Sequence, residues 1–224
     1  MKSVLVTGGT VRLGKAIAAR LRAEGWRVLT SSHRKDSGAD IVADLSEPMG
    51  AARLYADALR LLNGTPPDAL VNNAALFTGE PAEIRAVNFE APKKLITLMA
   101  GRETGVGAVV NILDAGAGDS VSSSDSRPPS SQAGCGYFDS KRELCAFTRS
   151  GALMFAETLR VNGVAPGPVL APTAVREKAG ELLLAHRPTP DDVAAAVVYL
   201  LGAEATTGAI IPVDAGQSLL RALD

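Results

Sequence analysis

Residues 2–25 read KSVLVTGGTVRLGKAIAARLRAEG, and this stretch decides the fold. Lys2–Thr7 is rich in β-branched residues and stops at Gly8-Gly9, the pattern of a strand buried on both faces. Gly14–Glu24 carries Ile17 and Leu21 on one side with alanines between, and Gly25 ends it. That is an amphipathic helix with a glycine stop. In the turn between them, TGGTVRLG at 7–14, glycines let the backbone approach a pyrophosphate. The following helix offers unpaired N–H groups and the positive end of its dipole. A tight strand-to-helix turn with no ligand is the plainer reading of the same residues.

Outward from this unit, short apolar runs alternate with helical segments. Arg27–Ser31 reads as a second strand and Asp40–Ala43 as a short third. Pro48–Leu62 is a helix stopped by Asn63-Gly64, and Asp68–Val71 a fourth strand. Pro81–Ala100 has helical periodicity with a break expected near Pro92. Val106–Leu113 is a fifth strand, Gly136–Glu157 a helix, Leu159–Val164 a sixth strand, Val193–Leu201 a helix and Ala209–Val213 a final strand. This alternation implies an α/β fold: one Rossmann-type domain over residues 1–224, with a doubly wound parallel sheet of about seven strands. Its ligands belong at the carboxyl ends of the strands. Residues 115–134 differ in kind, being Gly-, Ser- and Pro-rich, and read as an exposed loop insertion.

Composition bounds the function. The chain has 224 residues, 46% hydrophobic and 21% charged, with a net charge of -1. This is the balance of an ordinary globular protein, with no basic excess to recruit nucleic acid. No stretch is long and apolar enough to cross a membrane, and the N-terminal apolar run is too short for a secretion signal, so a cytoplasmic location is expected. Cys135 and Cys145 fit no metal or redox spacing and are expected as free thiols. His33 and His186 are the only histidines, so no metal site is expected.

The second strand ends in Ser31-Ser32-His33-Arg34-Lys35. An acid at such a tip would accept hydrogen bonds from the ribose of NADH, whereas an Arg suits the 2′-phosphate of NADPH. Asp36 stands one step further into the loop, so the reading favours NADPH; a solvated basic loop is the bland alternative. Asp44, after the third strand, is a candidate acceptor for an adenine amine, or else a cap for the helix that follows. In the loop after strand one, Arg12 occupies a position where dinucleotide loops often carry a glycine. Its cation is a candidate for a phosphate or for an anionic or enol-like substrate edge.

Tyr137-Phe138-Asp139-Ser140-Lys141 opens a helix, and residues four apart share a face. An ammonium beside a phenol favours phenolate and lowers the Tyr pKa, making Tyr137 a usable proton donor to a group accepting hydride. A solvated helix face produces the same spacing by chance, and the upstream phosphate loop is what raises its weight.

At this point the chain resembles the short-chain dehydrogenase/reductase family. The matching pieces are TGGTVRLG at 7, ADLS at 43, VNNAA at 71, VN at 87, YFDSK at 137, RVNGVAPG at 160 and IIPVDAGQSL at 210, in the family order. The resemblance implies that Tyr137 and Lys141 sit beside the nicotinamide and that Lys141 binds its ribose. It implies that Pro166 and Gly167 lie against the ring, that Asn88 holds a proton-relay water, and that Asn72 braces the sheet. The implied cofactor set is Gly8, Thr10, Arg12, Leu13, Gly14, His33, Arg34, Asp44, Leu45, Asn73, Ala74, Tyr137, Lys141, Pro166, Gly167 and Val169. A homotetramer is also implied.

Within that family the chain is similar to the pteridine and dihydromonapterin reductases. Arg12 replaces the middle glycine, His33-Arg34 ends strand two, Phe77 falls where an aromatic stacks on the pterin, and Asp114 stands where most of the family has a catalytic Ser. The tail GQSLLRA is similar too. The implied site has a pterin between Phe77 and the nicotinamide, Arg12 on its polar edge, and Tyr137 with Asp114 delivering the proton. Phe77 as a cover for apolar loop contacts and Asp114 as an ordinary strand-end acid remain the alternatives. The chain departs from the pattern in its longer gap between Asp114 and Tyr137, where Ser122, Ser123, Ser124, Ser130 and Ser131 occur. Ser124, by spacing, is the alternative to Asp114. The substrate-binding segment, 168–188, is short. The competing functions are a general carbonyl or 3-oxoacyl reductase with the same Tyr–Lys chemistry, and a non-catalytic nucleotide sensor.

Overall fold

Val4, Leu5 and Val6 alternate along the first strand, and in the folded chain they divide between two cores on opposite faces of one sheet. The computed structural model describes residues 1–103, 105–117, 135–169 and 182–221. In chain order the elements are β1 Ser3–Val6, α1 Arg12–Ala23, β2 Arg27–Ser32, β3 Ile41–Val42, α2 Gly50–Leu61, β4 Ala69–Asn72, α3 Pro81–Arg85 and α4 Ala91–Ala100. They continue as β5 Gly107–Ile112, α5 Cys135–Met154, β6 Leu159–Pro166, α6 Pro190–Gly202, β7 Ile210–Val213 and α7 Gln217–Arg221. The strands form a seven-stranded sheet in the order β3-β2-β1-β4-β5-β6-β7, and every pairing is parallel. The expected doubly wound fold is therefore present.

The period-2 pattern explains the layers. Leu5, Leu70 and Val109 pack with Leu54 of α2 and Leu95 and Met99 of α4. Val4, Val6, Val71 and Val110 pack with Ile17 and Leu21 of α1 and Val197 and Leu200 of α6 on the other face. Burying a Leu or Val in such a layer contributes about 1.5–3 kcal/mol. Successive connections leave β1 and β4 as neighbours from which the chain winds outward in opposite directions. Their carboxyl ends form the crevice where open α/β sheets bind ligands.

Several boundaries differ from expectation for local reasons. The break expected near Pro92 is a π-helical turn, Ala86–Glu90, joining α3 to α4. Pro92 falls in the first turn of α4, where its missing N–H is not needed, and the widened turn lies directly before it. The helix expected to reach Glu157 ends at Met154, because residues 155–158 close a turn in which Thr158 and Leu159 N–H both donate to the Phe155 carbonyl. β6 runs two residues beyond the expected end, to Pro166, where it pairs with Val213. The short helix α7 was not expected. Of the expected loop insertion, residues 118–134, including the five loop serines, lie outside the described residues; Ala115–Ala117 form a single 3-10 turn. Residues 170–181 of the short segment at 168–188 also lie outside them. No described helix is long and apolar enough to cross a membrane.

Candidate active site

The turn after β1 shows why its glycines stand where they do. Gly8 takes a φ of 63°, and a Cβ there would crowd the Ala74 backbone at 3.1 Å. A Cβ on Gly14 would run into the Gly8 carbonyl and the Asn73 amide, so α1 can start this close to the loop only with glycine. Arg12 has a φ of 48°. The loop thus keeps the left-handed backbone that suits glycine while presenting a guanidinium, at a cost of about 1 kcal/mol.

Asn73 fastens this loop to β4. Its side-chain amide donates to the carbonyls of Thr7 at 2.9 Å and Gly8 at 3.2 Å, and its backbone N–H donates to Thr7 Oγ1 at 3.0 Å. Ala74 N–H reaches the same hydroxyl at 3.0 Å. Asn72 was expected to brace the sheet. It does so between β4 and β5, donating to Asn111 Oδ1 at 2.8 Å, and Asn111 donates onward to Thr148 of α5 at 2.9 Å. The brace between β1 and β4 is Asn73.

A cavity of about 1000 Å³ opens along the carboxyl ends of the strands. All sixteen residues expected to contact a cofactor line it, as does Asp114. Gly8, Thr10, Arg12, Leu13 and Gly14 form one wall below β1, and His33, Arg34, Asp44 and Leu45 close the end below β2 and β3. Pro166, Gly167 and Val169 lie below β6. Lys35 is not among the lining residues. Asp44 accepts from the N–H and the hydroxyl of Ser46, at 2.9 and 2.6 Å. It therefore caps its own turn rather than α2, whose cap position is Met49. The glycine-floored loop at the start of α1 and the length of the cavity fit an extended dinucleotide.

At the other end Tyr137 and Lys141 lie on the first turns of α5. The Tyr137 hydroxyl donates to Asp114 Oδ2 at 3.0 Å, while Asp114 Oδ1 accepts the Gly116 N–H at 2.7 Å. Lys141 is 2% exposed and donates through Nζ to the Ile112 carbonyl at 2.7 Å, with Nζ 5.7 Å from the Tyr137 ring centroid. Burial lowers its pKa to about 8, against an opposing pull from Asp114. The expected lowering of the Tyr137 pKa is not what this arrangement does. Burial pushes the phenol well above its usual value, and the Asp114 charge and hydrogen bond push the same way.

Phe77 and Asn88 are close to this centre but outside the cavity lining. The Phe77 ring is 55% exposed and tilts against Tyr137 with centroids 4.9 Å apart. Asn88 is fully buried within the π turn. Its Oδ1 accepts the Leu76 N–H at 2.8 Å, and its amide donates to the Leu76 carbonyl at 2.9 Å and to Ser140 Oγ at 3.0 Å. Ser140 in turn donates to the Tyr137 carbonyl at 2.6 Å. Asn88 thus ties the Phe77 loop to the helix that carries Tyr137.

Sequence reasoning did not single out Ser140, Glu83, Leu76, Val87, Ser32 or Ser37. Ser140 stood inside the quoted YFDSK run, but nothing in the spacing of Tyr137 and Lys141 points to the residue between them. The others line the cavity from the end of β2, from loops and from helical turns, in orientations that only the fold reveals. Among the described residues, no cluster of His, Cys, Asp and Glu could hold a metal ion, and Cys145 is buried, with Arg149 Nη1 donating to its Sγ at 3.9 Å.

A sequence profile of the family described as short chain dehydrogenase matches residues 2–182. The chain is 32% identical over 242 residues to ketoacyl reductase 2 attributed to the granaticin polyketide synthase of Streptomyces violaceoruber, with 96% of each protein covered. It is 28% identical over 292 residues to pteridine reductase 1 of Leishmania tarentolae, covering 97% of this chain and 96% of the relative. The crystal structure of FolM alternative dihydrofolate reductase 1 from Brucella canis, complexed with NADP, superposes with a TM-score of 0.81. That pair is 30% identical over 97% of this chain and 94% of the other. A profile match over most of the chain, the parallel seven-stranded sheet and the paired Tyr137 and Lys141 lead to one conclusion: the chain belongs to the short-chain dehydrogenase/reductase family of oxidoreductases, with pteridine reductase-like proteins among its relatives.

Proposed function

We propose that this protein is an NADPH-dependent reductase of a pteridine-like ring, with Tyr137 as proton donor, Lys141 as its electrostatic partner and Asp114 as a substrate-facing acceptor. The carrying observation is the carboxylate of Asp114 at hydrogen-bond distance from the Tyr137 hydroxyl. An ionised carboxylate only accepts hydrogen bonds, so it cannot steady the oxyanion of a reduced ketone. It suits a substrate edge that carries N–H donors, as a reduced pterin does. Phe77, exposed and adjacent to Tyr137, supports a flat ring at the same place.

The bound cofactor supplies hydride. The chain's own part is to hold and move a proton. Burial and Asp114 keep the Tyr137 hydroxyl protonated at neutral pH, ready to donate. As that proton leaves, the Lys141 ammonium stabilises the phenolate oxygen. A substrate N–H donated to Asp114 draws off the negative charge that otherwise opposes this step. Arg12 reaches the cavity from the loop after β1 and supplies a cation for a phosphate or for the polar edge of the ring. Asn88 and Ser140 hold the Tyr137 helix against the Phe77 loop.

The test follows loss of NADPH absorbance with dihydrobiopterin, dihydrofolate and a 3-oxoacyl ester in parallel. The expected result is turnover of the pterins that drops in Phe77→Ala and Asp114→Ala. A ketoacyl reductase is the second reading, supported by the likeness to the granaticin protein. Turnover of the oxoacyl ester alone selects it.

A further inference from the structure

Arg34 is bound to a partner within its own loop. Its Nε donates to Asp36 Oδ1 at 3.1 Å and its Nη2 to Oδ2 at 2.7 Å, a two-pronged pair. The backbone around it is tied as well. Arg34 N–H donates to Ser32 Oγ at 3.2 Å, and Ser37 Oγ donates to the Arg34 carbonyl at 2.7 Å. Ser32, Arg34, Asp36 and Ser37 all line the cavity at its β2 end. The loop therefore fixes the backbone of Arg34 with hydroxyls and its side chain with a carboxylate.

We infer that Asp36 is a cofactor-selectivity residue: by holding the Arg34 guanidinium it reduces the preference of this site for a dinucleotide with a ribose phosphate over one without. The inference rests on the NADPH reading proposed above. A phosphate dianion that engages Arg34 has to displace Asp36 or share the guanidinium with it. In either case a carboxylate is left next to the phosphate, and like charges at that range oppose binding. An unphosphorylated ribose brings no dianion and leaves the pair intact. The penalty therefore falls on one cofactor and not the other. Both side chains are more than half exposed, so water and salt weaken the effect without abolishing it. The contact follows from sequence position: Asp36 lies two residues past Arg34 in a turn, too far along to meet the ribose as a strand-tip acid would, and near enough to fold back onto the arginine.

The experiment titrates the full-length protein with NADPH and with NADH, by the fluorescence of the reduced cofactor, at low and at high salt. The variants are Asp36→Asn, Asp36→Ala, Arg34→Ala and the double variant Asp36→Asn/Arg34→Ala. The ratio of NADPH to NADH affinity is expected to rise about three- to tenfold in both Asp36 variants, less at high salt. In the Arg34→Ala background, Asp36→Asn is expected to raise the ratio clearly less, since the part that passes through the guanidinium is gone and only the carboxylate–phosphate repulsion remains. A ratio that stays level or falls in Asp36→Asn overturns the inference, and so does an equal rise without Arg34. Wild-type protein that binds NADPH no better than NADH overturns the cofactor reading instead, and the change of ratio on Asp36→Asn still decides the inference.

Discussion

At the residue scale the proposed chemistry rests on three side chains whose electrostatics were not legible in the sequence. Tyr137 and Lys141 share a helix face downstream of the phosphate loop, and Asp114 rests on the resemblance to the pteridine reductases, an ordinary strand-end acid being its plain alternative. The pKa direction of Tyr137 depends on an Asp114 contact across 23 residues and on burial, neither of which the spacing carries. Replacing Tyr137 with Phe removes the proton and keeps the ring against Phe77. Turnover is expected to fall by about a hundredfold or more, while NADPH still binds. Stopped-flow binding and steady-state rates separate the two, and unchanged turnover would remove Tyr137 from the mechanism. The pH profile follows from Lys141. Its pKa is held at about 8, below the ordinary lysine value, so the ammonium present at neutrality is lost as pH rises through that point. The Tyr137 hydroxyl stays protonated over the same range, its own pKa lying above the usual value. The reduction rate is therefore expected to decline on the alkaline side with a midpoint near 8, and a profile flat to pH 10 excludes Lys141 as its source.

At the element scale the decisive joint is the π turn, Ala86–Glu90, packed against the start of α5. Periodicity across residues 81–100 and Pro92 announced a helix with an irregularity. They did not reveal that the irregularity lies before the proline and carries Asn88. A widened turn changes which residues face inward, and a hydrophobic pattern of this length does not resolve a single extra residue. Ser140 joins that turn to Tyr137 through one accepted and one donated hydrogen bond. Ser140→Ala leaves the Asn88 amide short of one buried partner, at a cost of about 1–3 kcal/mol in stability. As a positioning residue, Ser140 should also matter to kcat beyond that loss. Ser140→Ala is expected to lower kcat several-fold with little change in the KM for NADPH, and Ser140→Thr to restore part of it. Equal kcat in all three proteins, measured well below their melting temperatures, reduces Ser140 to packing.

At the scale of the whole molecule the fold was the most legible feature, because a strand buried on both faces and a helix with one apolar stripe are local patterns repeated along the chain. The sheet has the parallel arrangement that alternation implies, while its strand order, set by long-range pairing, comes from the structure alone. The cavity was the less legible part, because its lining comes from the ends of β1 to β6 and from α1, α3 and α5, which are distant in sequence. That same distribution makes stability responsive to cofactor. A dinucleotide in this cavity touches loops from most of the sheet and can bind only the folded chain. At a hundredfold excess over its dissociation constant it adds about 2.7 kcal/mol. For a domain of this size that corresponds to a rise in Tm of about 5–10 °C. NADPH is expected to produce this shift in a thermal melt of the wild-type protein. It should produce little in Gly14→Ala, where the added methyl group meets the Gly8 carbonyl and the Asn73 amide and forces the loop away from α1. A full shift in Gly14→Ala would mean that the cofactor is held without the β1–α1 turn, and residues 7–14 would then have no part in binding.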